Sequence, residues 1–316
     1  MTLQLALGPL QYYWSRDKVF AFYEAMAATP LDVVYLGETV CSRRHEMRLQ
    51  DWLALAQMLR AAGKQVVLST QVLLESTADV GTMHKITSND DGFAVEANDM
   101  GAVHSLHSAG LPFVAGLHLN LYHPRSIHWI HQLGATRWVM PVEMNQTDLA
   151  RILAAQPEGL QTEVFAHGRL PLAYSARCFT ARHANRPKDD CGFVCQGHAN
   201  GLPLRTREGE GFLVLNGIQT QSARVYQLLQ ELPQMAALGV DLVRLSPQDQ
   251  HMEAVVALFD TVRRDPANAV AVARCTQQVE TLLPDLPCNG FWHGRPGLEQ
   301  GRAPMAAVAP SGQAAA

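Results

Sequence analysis

Short apolar segments recur roughly every 25–30 residues along this chain, each followed by a longer segment of helical period. LQLALG (3–8), LDVVYLG (31–37), QVVLST (65–70), GFAVEA (92–97), LPFVAGLHLN (111–120), TRWVMPVEM (136–144) and QTEVFAHG (161–168) read as strands. Residues 17–28, 48–63, 74–86, 100–110, 124–135 and 146–155 read as the helices between them. Gly63 and Gly110 stand where two helices should stop, Pro124 where one should start, and Asn145 where one should be capped. Strands that alternate with helices must pair in parallel, because only a crossover returns the chain to the same end of the sheet.

The rhythm breaks over 169–210, a stretch with three cysteines, several basic residues and Gly/Asn punctuation. It reads as an insertion after the seventh strand. GFLVLNGIQT (211–220) is a further strand belonging to that insertion, 222–239 a helix, VDLVRLSP (240–247) the eighth barrel strand and 250–264 its helix. The expectation is an α/β chain of the (β/α)8 TIM-barrel type, irregularity allowed, with a doubly wound open sheet as the alternative. The 316 residues then form one barrel-like domain over 1–300, with the insertion at about 169–210. The Ala/Pro/Gly-rich tail 301–316 is expected to be disordered.

Composition narrows the function. The net charge of −4 offers no basic field for a nucleic-acid backbone. No apolar run approaches the 18 or so residues of a membrane helix. The start of the chain lacks a basic, cleavable leader, so a cytoplasmic protein is expected. There is no G-x-S-x-G elbow, no G-x-G-x-x-G after the first strand and no P-loop.

Six cysteines remain, in a chain too long to need disulfide staples. Cys178, Cys191 and Cys195, spaced C-x12-C-x3-C, all follow the seventh strand, and Cys41 follows the second. In a parallel α/β fold the C-terminal strand ends converge on one face, so these four thiols share a rim. Four thiolates suit zinc or an iron–sulfur cluster, and Arg177, Arg182, Arg186 and Lys188 would offset their charge. The competing reading is free thiols acting as small buried hydrophobes, which fits Cys275 in its apolar run. Cys288, in LPCNGFW, is a further candidate ligand.

Polar residues at strand ends, Glu38, Glu96, His118, Asn120, Glu143, Glu163, His167, Asn216 and Arg244, would line a barrel mouth, as substrate-binding groups or as hydrogen-bonded core. The pairs His104/His107 and His128/His131 read as helix surface, and Arg43-Arg44-His45-Glu46 as a solvated turn. Cys178 with His167 or His183 could be drawn as a protease pair, but the neighbouring cysteines favour ligation.

EVFAHGRLPLAYSARCF (163–179) resembles the hallmark segment of the collagenase-like peptidase family, E-x-F-x-H-G-x-L-C followed by S-G-x-C. NRPKDDCGFVC (185–195) is similar to that family's next cysteine segment, and VVYLGETVCSRRHE (33–46), LPFVAGLHLN, LNGIQT (215–220) and CNGFW (288–292) extend the likeness over nearly the whole chain. The family's first hallmark cysteine is Pro171 here, and Cys41 supplies a fourth thiol instead. The resemblance is to the branch serving ubiquinone biosynthesis. It implies a [4Fe–4S] cluster on Cys41, Cys178, Cys191 and Cys195, with no catalytic side chain assigned. It further implies oxygen-independent hydroxylation of prenylated quinone precursors as a heterodimer with a UbiU-like sister protein, assisted by a UbiT-like lipid carrier. A peptidase with a structural zinc site, or a non-catalytic subunit stabilising its sister, are the alternatives.

Overall fold

A computed structural model describes residues 3–301. Seven strands open the chain: β1 (Gln4–Leu7), β2 (Val33–Leu36), β3 (Gln65–Ser69), β4 (Ala94–Ala97), β5 (Phe113–Ala115), β6 (Ala135–Val139) and β7 (Gln161–Tyr174). Each pairs in parallel with the next. β11 (Leu242–Leu245) lies parallel to both β1 and β7 and closes the ring. The result is a (β/α)8 barrel, and the closing pair β7–β11 removes the open-sheet alternative. β2 and β11 are buried along their whole length, as expected of strands covered on both faces.

The helices α1 (Arg16–Ala27), α2 (Leu49–Ala61), α3 (Thr77–Thr87), α4 (Met100–Ser108), α5 (Pro124–Gln132), α6 (Gln146–Leu153) and α9 (Met252–Arg264) wrap the strands. Helix α2 buries Trp52, Leu55, Ala56 and Leu59, one stripe at helical spacing. Ser76 and Asp79 form a capping box on α3, Pro124 opens α5, and the Asn145 side chain caps α6 by accepting from the Asp148 N–H. α10 (Ala269–Glu280) adds a further outer helix and buries Cys275. Among the described residues no helix is long and apolar enough to cross a membrane. The tail expected to be disordered lies, past Gly301, outside the described residues.

The main departure from the sequence reading concerns β7 and the segment after it. β7 does not stop at residue 168 but runs to Tyr174 and leaves the barrel. The helix expected over 222–239 opens as a strand, to Gln227, and is helical only from Leu229 on. β10 (Gln219–Gln227) pairs antiparallel with the outer half of β7, and Leu232–Leu238 (α8) is the α-helical part. Pro233 sits in the first turn of α8, where its missing N–H costs nothing; inside a helix over 222–239 it would have broken the ladder. Two more strands, β8 (Leu202–Arg205) and β9 (Gly211–Asn216), complete an antiparallel sheet in the order β7-β10-β9-β8. The two-residue β12 (Pro287–Cys288) pairs with β10. Between β7 and β8 lie α7 (Phe179–His183) and two 3-10 turns, Lys188–Asp190 and Val194–Gly197.

Gly168 marks the place where β7 changes partners, from β11 up to His167 to β10 beyond it. Its φ of 125° is open to glycine, and an added Cβ would lie 2.5 Å from the Cβ of Ser246. Gly168→Ala should therefore lower the free energy of unfolding by about 3 kcal/mol, read from urea melts.

Candidate functional site

Inside the barrel, inward-pointing side chains of six strands form one polar cluster. Arg244 donates from Nε to Glu163 Oε1 at 2.6 Å and from Nη1 to Glu96 Oε1 at 2.7 Å. Its guanidinium lies 4.0 Å from the Tyr35 ring centroid. Tyr35 donates its hydroxyl to Glu163 Oε2 at 2.5 Å and accepts from Arg137 Nη1 at 2.9 Å. Ser69 and Asn98 donate to the remaining oxygen of Glu96. Two cations thus face two carboxylates, all buried. Burial pushes the Tyr35 phenol well above its ordinary range, and the Glu163 charge adds to this.

Above the cluster, the C-terminal strand ends carry a second polar layer. Arg244, Glu96 and Asn98 reach it from below, and Gln11, Thr39, His118, Arg169 and Ser246 line it. His118 packs edge-on against Tyr174, and burial lowers its pKa to about 3, so it is neutral. His167, also buried and lowered to about 4, shares a hydrogen bond from Nε2 with Gln248. Glu143 and Asn120 border a cleft beside His118.

The cysteine rim is built on the loop after β2. Gly37, at φ 138°, turns the chain beneath the Ser69 carbonyl. The Glu38 carboxylate then accepts from the N–H groups of Val40 and Cys41, at 2.9 and 3.0 Å, which fixes the loop. Burial raises the Glu38 pKa, and Arg44, at 3.5 Å, opposes that rise. Cys178 caps α7, its Sγ accepting from the Ala181 N–H at 3.4 Å. Cys191 follows the first 3-10 turn, and Cys195 lies in the second. All four thiols are free and half-buried.

These thiols sense one another. Burial pushes Cys41 up to about 11; a charge on Cys178 adds to this, and Arg44 opposes it. Burial also raises Cys195, where charges on Cys178 and Cys191 act in the same direction, and Arg44 again opposes them. Electrostatic coupling thus links Cys41 to Cys178, and Cys195 to both Cys178 and Cys191. Among the described residues, no three His, Cys, Asp or Glu side chains stand close enough together to hold a metal ion as they are. A single zinc would draw its four sulfurs to about 2.3 Å from one centre, whereas a cluster spreads its thiolates over several irons. The donor set is four half-buried thiols, with one buried cation, Arg44, acting on two of them.

Arg44 is the residue that the sequence reading missed. Instead of lying in a solvated turn it is 4% exposed. Nη1 donates to the Gln11 carbonyl at 2.7 Å and Nη2 to Asn216 Oδ1 at 2.8 Å, while Asn216 Nδ2 also donates to the Gln11 carbonyl. One guanidinium thus joins the loops after β1 and β2 to the β9–β10 hairpin. The available signal was a pair of arginines directly after a strand-end cysteine. Next to it, Arg43 pairs with Asp189 at 2.5 Å, and Lys188 with Glu75, so the cysteine-bearing segment is strapped over the loops after β2 and β3. Arg186 lies against Gly192, where a Cβ would collide with its guanidinium. His45 packs edge-on to Phe193, and Glu46 accepts from the Arg16 N–H. His107 and His131 bond backbone carbonyls from their helices. Cys288 is buried in β12 with its thiol pushed up to about 12, and Cys275 is buried in α10.

The model of peptidase family U32 matches residues 18–300. The chain belongs to that family. This U32 chain is 20% identical over 187 residues to the tRNA hydroxylation protein P1 of Bacillus subtilis, a match covering 56% of this chain and 44% of that protein. It spans less than half of that relative's length. Among solved structures it is similar to the U32 peptidase Mk0906, at 12% identity and a TM-score of 0.44, covering 78% of this chain and 94% of that one. It is also similar to the N-acetylneuraminate lyase of Aliivibrio salmonicida, at 11% identity and a TM-score of 0.45, covering 88% and 79%. The membership expected from residues 163–195 holds at the level of the family.

Arg44→Met should strip Glu38 of its cation and release the hairpin. The expected loss is about 3 kcal/mol in urea melts, with faster proteolysis confined to the β9–β10 hairpin, 211–227. Unchanged proteolysis in this stretch would show that Arg44 does not fasten it.

Proposed function

We propose that this U32 protein is a UbiV-like iron–sulfur subunit of an oxygen-independent hydroxylase acting on the aromatic ring of ubiquinone precursors. What supports the reading is the electrostatic coupling of Cys41 to Cys178 and of Cys195 to Cys178 and Cys191, with the buried Arg44 acting on Cys41 and Cys195. The similarity to a tRNA hydroxylation protein supports a hydroxylase-like role over a peptidase. In this reading the chain works in the cytoplasm as a heterodimer with a UbiU-like sister, and a UbiT-like carrier presents the prenylated substrate.

A [4Fe–4S] cluster on four thiolates supplies one-electron transfer. The four cysteines would hold it as thiolates, with Arg44 as a fixed positive charge beside Cys41 and Cys195. Glu38 orients the Cys41 backbone. Phe193 packs on Tyr13 and His45, which ties the Cys195 turn to the loops after β1 and β2.

Anaerobic reconstitution should give about four irons and four sulfides per chain. Cys41→Ser, Cys178→Ser, Cys191→Ser and Cys195→Ser should each lower that content, and Cys275→Ser and Cys288→Ser should not. A deletion strain should lose ubiquinone only when grown without oxygen. Zinc instead of iron, or a full cluster in Cys41→Ser, would overturn the assignment.

A further inference from the structure

A line of hydrogen bonds runs from Arg44 to His118. Arg44 Nη2 donates to Asn216 Oδ1 at 2.8 Å, and Asn216 Nδ2 donates to Gln219 Oε1 at 2.8 Å. Gln219 Nε2 gives its two hydrogens to Tyr174 Oη and Gln11 Oε1, both at 2.6 Å. Tyr174 Oη lies 3.4 Å from His118 Nε2. Arg44, Asn216, Gln219 and Gln11 are all buried.

The sense of these bonds is fixed from both ends. A guanidinium only donates, so Asn216 turns its oxygen to Arg44 and its nitrogen to Gln219. The Pro9 carbonyl only accepts; it takes Gln11 Nε2 at 3.1 Å and leaves Gln11 Oε1 facing Gln219. Gln219 therefore donates to Tyr174. The Tyr174 hydrogen has two places to go. Gln11 Oε1, at 3.3 Å, already accepts a shorter bond, whereas His118 Nε2 has no other donor among the described residues and is the stronger base. His118 is neutral, held so by burial and by the Arg244 charge. A neutral imidazole that accepts at Nε2 carries its proton on Nδ1.

His118 stands in the 3-10 turn Leu117–Leu119 that follows β5. Gly116 opens this turn against the Asn98 side chain, where an added Cβ would collide with Oδ1. The ring borders a cleft of about 270 Å³ at the strand ends, with Leu117, Val142, Leu172 and Glu143 around it. No group among the described residues pairs with Nδ1, and Nδ1 is not sealed from solvent. We propose that His118 offers a fixed Nδ1–H to an acceptor oxygen of the molecule bound in this cleft, its tautomer set by Tyr174 at the end of the line from Arg44. Asn216, Gln219 and Tyr174 are positioning residues that act through the imidazole. The tautomer follows from the fold; only its use in ring hydroxylation rests on the function proposed above.

The test is long-range proton–nitrogen correlation spectroscopy on the cluster-free full chain with isotope-labelled histidine, the His118 signals assigned by their loss in His118→Gln. Nε2 should resonate far downfield, as a bare acceptor nitrogen, and Nδ1 as an N–H. Gln219→Glu should invert this: a carboxylate only accepts, so it takes the Tyr174 hydrogen and moves the His118 proton to Nε2. Tyr174→Phe should leave both tautomers in exchange, with the two nitrogen shifts drawn together. A proton on Nε2 in the native chain, or one and the same fixed tautomer in all three proteins, would overturn the proposal. In a deletion strain grown without oxygen, His118→Gln should lower ubiquinone about tenfold, and His118→Asn, whose amide N–H replaces Nδ1–H, should recover part of it. Equal loss in both would overturn the use of Nδ1–H. The expected tautomer in a chain that takes up no iron would support the line while removing the hydroxylase reading. A full cluster with native His118 protonated on Nε2 would do the reverse.

Discussion

Arg244 is the side chain around which the rest of the molecule is arranged. It bonds carboxylates from β4 and β7, lies over an aromatic ring from β2, and through Tyr35 and Glu163 reaches Arg137 on β6. Paired buried charges add little net stability, because desolvation offsets their attraction. Their effect is on alternatives. A one-residue slip of any of these strands would turn a charged side chain outward against the helical layer and leave its partner unpaired in the barrel. The cluster therefore fixes the relative heights of the strands, and with them the level at which every strand ends. The rim loops inherit that level.

β7 transmits the arrangement outward. Its first half lies in the barrel with Glu163 in the polar cluster, and its second half, beyond Gly168, starts the antiparallel sheet. Cys178 stands four residues past the end of the same strand. The Cys41 loop leaves β2, whose Tyr35 also belongs to the cluster. Two of the four thiols are thus placed by strands locked to the same interior arginine. This is how residues 137 positions apart in sequence come to share a field.

The barrel was legible because its signals are local: apolar runs buried on both faces, Asn145 and Pro124 at helix starts, and a repeat that only parallel pairing satisfies. The convergence expected of the cysteines follows from the fold class alone. β10 was not. Its run of Ser, Ala, Arg, Val and Tyr carries no clear period, and it becomes a strand because the outer half of β7 presents an unpaired edge. Arg44 was not legible either. A basic residue beside a turn belongs in water unless three acceptors from distant segments surround it, and Gln11, Glu38 and Asn216 meet only in the folded chain.

The segment that bears three of the thiols follows a different rule from the barrel. From Arg182 to Asn200 no residue is fully buried, and Phe179 and Phe193 stay exposed. Hydrophobic burial cannot order such a stretch. The ion pairs Arg43–Asp189 and Lys188–Glu75 lie near the surface, where each contributes about 0–1 kcal/mol. Arg44 anchors the hairpin that follows, at Asn216, but not the segment itself. What remains is the thiols. Bonds from Cys178, Cys191 and Cys195 to a common metal group, closed against Cys41, would outweigh all the other contacts of this segment. Its folding would then be coupled to the loading of the site. The barrel carries a packed core of its own, and the excursion does not.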